Sequence, residues 1–223
     1  MAVAALAGCS NLTEQGGVAG LEIRVPRPAT VEVGQTIQLS ARAFDRQGDS
    51  VAVAVTWLTP DTTVTITPDG RLTGRTSGTA RVQAGVGTIV SDFVTFTVNP
   101  RPDTLALSGD SILTVAPGVG ISAPLVASIR SFAPAEPLSG EVIIYTITAP
   151  VFADPTQRTV ELPGGLLILA AITAADGTPA TPVTLNRVTG QPSPDSAIVT
   201  VAAVTAAGTA VPGSGQRFII HFQ

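Results

Sequence analysis

The chain has 223 residues, of which 44% are hydrophobic, 4% aromatic and 13% charged, and its formal net charge is −4. It has no basic cluster, which argues against nucleic acid and anionic membrane surfaces as partners. No apolar run reaches the roughly 18 residues of a membrane-spanning helix. The single cysteine allows no disulfide framework within the chain, so each domain must be stabilised by burial alone.

The composition favours short strands over helices. The apolar residues are mostly Ala, Val, Ile and Leu, and the β-branched types, together with many Thr residues, prefer strands. The 22 glycines and 18 prolines supply frequent turns. We therefore predict an all-β protein.

The first apolar segment ends in Leu6-Ala7-Gly8-Cys9, which resembles the lipobox of bacterial lipoproteins. The resemblance implies a lipid on Cys9 and cleavage before it, so residues 1–20 are interpreted as a truncated lipoprotein signal followed by a polar, Gly-rich tether. Ser10 after the cysteine implies an outer-membrane location, on either the periplasmic or the external face, because inner-membrane lipoproteins of this family carry Asp there.

This segment departs from a complete signal peptide in two ways. No Arg or Lys precedes Cys9, and the apolar stretch is short. We interpret this as a start assigned too far downstream or a trimmed chain. The alternative is a tail with an incidental cysteine.

Residues 21–100 show the alternation of a β-sandwich. The predicted strands are 21–25, 30–33, 36–44, 53–57, 63–67, 72–74, 78–84 and 90–98. Gly34, Gly70 and Gly78 are predicted at turns, where glycine tolerates a positive φ.

The same segment resembles the group 2 bacterial immunoglobulin-like domain. The similarity rests on an ordered set of short motifs that includes Val33-Gly34-Gln35, Val55-Thr56-Trp57, Asp69-Gly70 and Gly78-Thr79-Ala80. It implies an immunoglobulin-like sandwich for residues 21–100. It leaves function open, because the module occurs in adhesins, lipoproteins, fibre proteins and as spacers in enzymes.

Two functional alternatives exist within this domain. Trp57 is predicted to be a structural core aromatic, with a sugar-stacking platform as the alternative. Asp45, Asp49 and Asp61 are predicted to be solvated loop carboxylates; a calcium site is the alternative, although they lack the dense spacing of calcium-binding loops. We therefore predict no metal and no cofactor.

Residues 101–223 are predicted to form a second immunoglobulin-like sandwich after the stiff linker at 100–102. The predicted strands are 104–107, 111–115, 125–131, 141–148, 159–162, 166–173, 182–188, 196–204 and 217–222. The segments 136–147, 174–185 and 196–204 are similar, loosely, to the invasin-type immunoglobulin-like repeat. The apolar run 166–171 predicts a strand buried on both faces, with a helix as the alternative.

The sequence offers no recognisable catalytic set. His221 is the only histidine, and alternation in the last strand predicts that it faces solvent. It stands near the end of the chain without a nucleophile motif, and zinc would need three or four ligands. A carboxylate pair for glycoside hydrolysis is left open, but the acidic residues are scattered.

We therefore predict a cell-envelope lipoprotein without enzyme activity, with a structural, adhesive or binding role. Its partner would be a protein or carbohydrate at the cell surface, reached through sandwich loops or strand edges. Contact with the membrane would be through the lipid anchor alone. The alternative is a subunit of a surface fibre or envelope complex that assembles through strand edges.

Overall fold

A computed structural model describes residues 17–152 and 154–223, which form an all-β protein of immunoglobulin-like β-sandwiches. Within these ranges the one helical element is a short 3₁₀ turn at Pro155–Gln157. No helix in the described ranges is long and apolar enough to cross a membrane. The described residues fall into two compact units, one ending at Asn99 and one beginning at Pro100.

The first unit contains eleven strands in its described part. They are β1 (Gly20–Arg24), β2 (Thr30–Glu32), β3 (Thr36–Gln38), β4 (Ser40–Phe44), β5 (Ser50–Val51), β6 (Thr56–Leu58), β7 (Val64–Ile66), β8 (Arg71–Gly74), β9 (Gly78–Val86), β10 (Ile89–Val90) and β11 (Val94–Asn99). Strands β1-β4-β5 and β3-β8-β7 form two short sheets. A third sheet has the order β10-β9-β11-β2, with β6 also paired to β9.

Buried side chains from all three sheets meet in the larger core of this unit, as in a sandwich. Leu72 on β8, Ala80 and Val82 on β9, and Phe96 on β11 are fully buried. Inward and outward positions alternate along these strands, because successive side chains point to opposite faces. Strand β2 runs parallel to the last strand, β11, and the other pairings in this unit's sheets are antiparallel.

The predicted strand 36–44 is interrupted at Leu39. Strand β3 pairs with β8, whereas β4 pairs with β1, so the chain changes neighbours at this residue. The Leu39 amide donates to the carbonyl of Gly70 at 2.8 Å, and its side chain is buried. Inward and outward side chains therefore keep alternating where the chain changes strand partners, so the sequence pattern does not reveal the interruption.

Packing of the first unit begins before residue 21. Val18, which the sequence analysis assigned to the tether, is buried and packs with Leu21 and Ala43. The Ala19 amide donates to the carbonyl of Phe44 at 2.7 Å. Burial of the apolar Val18 side chain stabilises the fold, although the residues around it in the sequence are polar or small.

The second unit contains ten strands in its described part. They are β12 (Thr104–Leu107), β13 (Ile112–Val115), β14 (Ala127–Phe132), β15 (Ala135–Pro137), β16 (Val142–Ala149), β17 (Val160–Glu161), β18 (Ile168–Ile172), β19 (Asn186–Arg187), β20 (Ser196–Ala202) and β21 (Arg217–Phe222). A five-stranded sheet has the order β13-β21-β20-β16-β18, and smaller sheets join β12-β14-β15 and β17-β19.

The second unit repeats the sandwich arrangement around a larger core. Tyr145 on β16 and Phe218 on β21 are fully buried against Leu105 and Ile129 of the opposing sheet. Strand β13 runs parallel to the last strand, β21, as β2 does to β11 in the first unit.

The prediction that the apolar run 166–171 is buried on both faces is wrong. Most of that run lies in β18 (Ile168–Ile172), a strand at the edge of the five-stranded sheet whose residues are alternately exposed and half-buried. Ile168 and Ile172 are each 60% exposed, so the strand is not buried on both faces. Both sides of the strand are aliphatic, so the sequence could not distinguish the core side from the solvent side.

Candidate functional site

The residues that the sequence singles out for their reactive side chains are Cys9 and His221. Cys9 is outside the described residues. His221 lies on β21 with its side chain exposed, while Phe218 and Ile220 of the same strand are buried. Across the sheet His221 is paired with Ser196 on β20 and Thr114 on β13, so its strand neighbours carry hydroxyl groups.

Trp57 is half-buried on β6 and packs against the core of the first unit. Its strand partner is Ala84 on β9. The indole lies beside Gly70, where a Cβ atom would come within 2.9 Å of the indole Nε1. The indole is thus packed closely against the Gly70 backbone. The role of Trp57 as a structural core aromatic remains a prediction.

The three predicted turn glycines all have positive φ. The values are +83° for Gly34, +83° for Gly70 and +141° for Gly78. At Gly70 a Cβ atom would also come within 2.9 Å of the Leu39 carbonyl oxygen. A side chain is therefore disfavoured at Gly70 by both backbone conformation and available space.

Two of the three candidate calcium ligands of the first unit, Asp45 and Asp61, have other partners for their carboxylates. Asp45 Oδ1 accepts from the amides of Gln47 and Asp49, each at 2.9 Å, and closes its own loop. Asp61 instead forms an ion pair with Arg81 at 3.0 Å. Among the described residues no three His, Cys, Asp or Glu side chains are grouped so as to hold a metal ion.

Five aspartates have a pKa below the ordinary value. A hydrogen bond from the Arg81 side chain lowers the pKa of Asp61, and one from the Thr67 hydroxyl lowers that of Asp69. The other members of this set are Asp103, Asp154 and Asp176. These carboxylates stabilise local structure in their ionised form, which is unsuited to a general acid at neutral pH.

The most distinctive surface lies on the second unit, on the outward side of β16, β18 and β20. Val142 and Ile144 on β16 lie opposite Ile172 and Ala170 on β18, and Ile144 also lies opposite Ala202 on β20. We call this surface the aliphatic face. It is defined by Val142, Ile144, Ile168, Ala170, Ile172 and Ala202.

Threonines border the aliphatic face. Thr146 lies between Ile168 and Thr200 across the three strands. The hydroxyls of Thr148 and Thr200 are 3.0 Å apart and form a hydrogen bond. The next outward side chain across the sheet is Arg217, opposite Thr200 on β21. Sequence reasoning missed this surface, although the apolar character of β16, β18 and β20 was visible.

No protein-family model matches the chain, and no curated protein matches it. Membership of residues 21–100 in the group 2 immunoglobulin-like family therefore remains a prediction.

Among solved structures, the chain is similar to the Yersinia pseudotuberculosis adhesin InvE, with 15% identity and a TM-score of 0.44, over 94% of this chain and 61% of that one. It is also similar to domains 4 and 5 of the S-layer protein SbsC, with 18% identity and a TM-score of 0.36, over 92% and 98% of the two chains. The fibronectin(III)-like modules of Clostridium thermocellum CbhA give 16% identity and a TM-score of 0.38, over 91% and 94%. Such low values do not define a function.

Proposed function

We propose that this chain is a cell-envelope lipoprotein without enzyme activity whose immunoglobulin-like units have a structural, adhesive or binding role. The observation that carries the binding role is the aliphatic face, an exposed and uncharged surface on a packed sandwich. Exposed apolar patches of this kind mark interaction sites in water-exposed proteins. The carboxylates described above serve loops and strand ends, which further supports a role without catalysis.

We assign residues 1–20 to a truncated lipoprotein signal and tether, residues 21–100 to a group 2 bacterial immunoglobulin-like domain, and residues 101–223 to a second immunoglobulin-like sandwich. Support for the first assignment is the Leu6–Cys9 motif, and support for the second is the ordered set of motifs from Val33 to Ala80. A lipid on Cys9 would place both units at an envelope membrane, with the outer membrane indicated by Ser10.

Intact-mass measurement on protein purified from the native host tests the envelope assignment. We expect the mature chain to begin at Cys9 and to carry acyl groups, and to fractionate with the membrane. A Cys9→Ser variant expressed from the same locus is the control and should lose both the lipid and the membrane association. A wild-type chain with an unmodified Cys9 would contradict the anchor.

A further inference from the structure

The aliphatic face lacks the features that normally protect exposed strands. Edge strands usually carry charged residues or proline, as β1 does with Glu22 and Arg24 and β15 does with Glu136 and Pro137. Strands β16, β18 and β20 contain no Asp, Glu, Lys or Arg. A surface that omits these residues across three adjacent strands is built for contact with another apolar surface.

The contact is to the face rather than to the free edge of β18. In the antiparallel ladder, hydrogen-bonding groups of alternate residues point to β16, and those of Ile168 and Ala170 point to the free edge. Both ends of that edge are occupied: Leu166 exchanges backbone hydrogen bonds with Leu162, and the Ala180 amide donates to the carbonyl of Ile172 at 2.9 Å. The two residues between them are too few for a stable added strand.

The exposed apolar area of the aliphatic face is large enough for a standard-size protein–protein interface between two copies. Ile168 and Ile172 are each 60% exposed, and Val142 is 44% exposed. Leu166 and Val204, which continue the same alternation, are 43% and 52% exposed. Together with the half-buried members, these residues present on the order of 500 Å² of apolar surface. A standard-size protein–protein interface buries about 800 Å² on each partner, and homodimer interfaces are about 65% apolar, so the apolar area available here matches an interface of that size.

Charge favours a second copy as the occupant. In a two-fold dimer the same patch faces itself, so any charge near the axis meets a charge of its own sign. The chain carries a net charge of −4, so two copies carry net charges of the same sign and repel one another overall. The aliphatic face avoids this repulsion because its three strands carry no charged residue, and the charged residue paired across the sheet is Arg217 on β21, opposite Thr200.

We propose that two copies of this chain associate through the aliphatic face, with the two five-stranded sheets packed face to face about a two-fold axis. Flat aliphatic sheet faces pack in this way inside sandwiches, about 10 Å apart. The bordering hydroxyls of Thr146, Thr148 and Thr200 form the polar rim of this interface. This dimer rests on the binding role proposed above and identifies its partner.

Sedimentation velocity on the full chain tests the dimer. All samples carry Cys9→Ser, which removes the proposed lipid site and the only thiol, so the result is independent of the anchor and of disulfide linkage. We expect dimers within a concentration range of about 1–200 µM. Ile168→Glu and Ile172→Glu should each raise the dimer dissociation constant at least about tenfold, because each would bury a charge in an apolar interface.

The matched control is Phe132→Glu. Phe132 is 67% exposed on β14, in the other layer of the same sandwich, so it introduces the same charge outside the aliphatic face. It should leave the dissociation constant unchanged. Circular dichroism of each variant confirms that the fold is retained.

Mixing experiments test whether the partner is a second copy. Ile168→Glu and Ile168→Arg should each be monomeric alone, and an equal mixture should dimerise because opposite charges then meet across the axis. A monomeric parent chain at about 200 µM, or Ile168→Glu and Ile172→Glu variants that dimerise as well as the parent, would overturn the proposal. So would a mixture that remained monomeric. A lipidated Cys9 in a monomeric protein would retain the envelope assignment and reject only the dimer.

Discussion

At the scale of single residues, Tyr145 shows how the second core accommodates a polar atom. The ring is fully buried, and its hydroxyl donates to the carbonyl of Leu125 at 3.0 Å. The bond satisfies both groups, which would otherwise be costly to bury. Burial raises the pKa of Tyr145 to about 12.

This raised pKa predicts a loss of stability in alkali. Because the folded pKa exceeds the unfolded value of about 10, the contribution of Tyr145 is complete below pH 10 and falls as the pH rises towards 12, by up to about 2.7 kcal/mol. Tyr145 is the only tyrosine, so ultraviolet absorbance of the phenolate measures its pKa directly. A titration midpoint near 10 in the folded chain would contradict the prediction.

Tyr145→Phe provides a complementary measurement. The variant keeps the ring but leaves the buried Leu125 carbonyl without its donor, so we expect the free energy of unfolding to fall by about 1–3 kcal/mol at neutral pH. The alkaline decrease should be smaller than in the parent chain. Urea unfolding followed by far-ultraviolet circular dichroism at pH 7 and pH 11 measures both effects.

Gly70 combines a positive φ with a close backbone contact, so Gly70→Ala should destabilise the first unit by about 2 kcal/mol or more. Gly48 is the matched control, because its φ is +88° and a Cβ atom there would meet nothing within 4 Å. Gly48→Ala should cost about 1 kcal/mol, from backbone conformation alone. Trp57 fluorescence during urea unfolding reports the comparison, and equal costs would argue against a steric contribution at Gly70.

At the scale of elements, Asp103 connects the start of β12 to the end of β14. Its Oδ2 accepts from the Phe132 amide at 2.8 Å, and its Oδ1 accepts from Arg101 at 2.7 Å. Partial burial acts to raise the pKa of Asp103, but the hydrogen bonds from Phe132, Arg101 and Ser131 outweigh it and lower the pKa. Its stabilising contribution is therefore present at neutral pH and is lost as the pH falls below about 4.

Substitution separates the two interactions of Asp103. Asp103→Ala leaves the Phe132 amide without its acceptor and should lower the free energy of unfolding by about 1–2 kcal/mol. Arg101→Ala removes only a partly exposed ion pair and should cost at most about 0.5 kcal/mol. Thermal unfolding of the two variants gives the comparison; an Arg101→Ala cost as large as that of Asp103→Ala would show that the ion pair dominates.

At the scale of the whole molecule, each unit has cores made from its own residues. The cores of the first unit use residues between Val18 and Val98, and the core of the second uses residues between Leu105 and Ile220. The chain also provides one probe for each unit, because Trp57 is the only tryptophan and Tyr145 the only tyrosine.

Separate cores predict separate unfolding. Gly70→Ala should move the Trp57 fluorescence transition to lower urea concentration and leave the unfolding of the second unit, followed by Tyr145 near-ultraviolet absorbance, unchanged. Asp103→Ala should do the reverse. A shift of both transitions by either variant would contradict independent folding.

The sequence alone was sufficient to predict the all-β class and the positions of most strands, since alternation and turn residues are local signals. It could not show that β18 lies at an edge, because both sides of that strand are aliphatic and burial depends on what packs against each side. Nor could it show that β3 and β4 change partners at Leu39. Only the tertiary structure brought Val142, Ile144 and Ile172 together on one exposed surface, because strand pairing places residues from distant parts of the chain side by side.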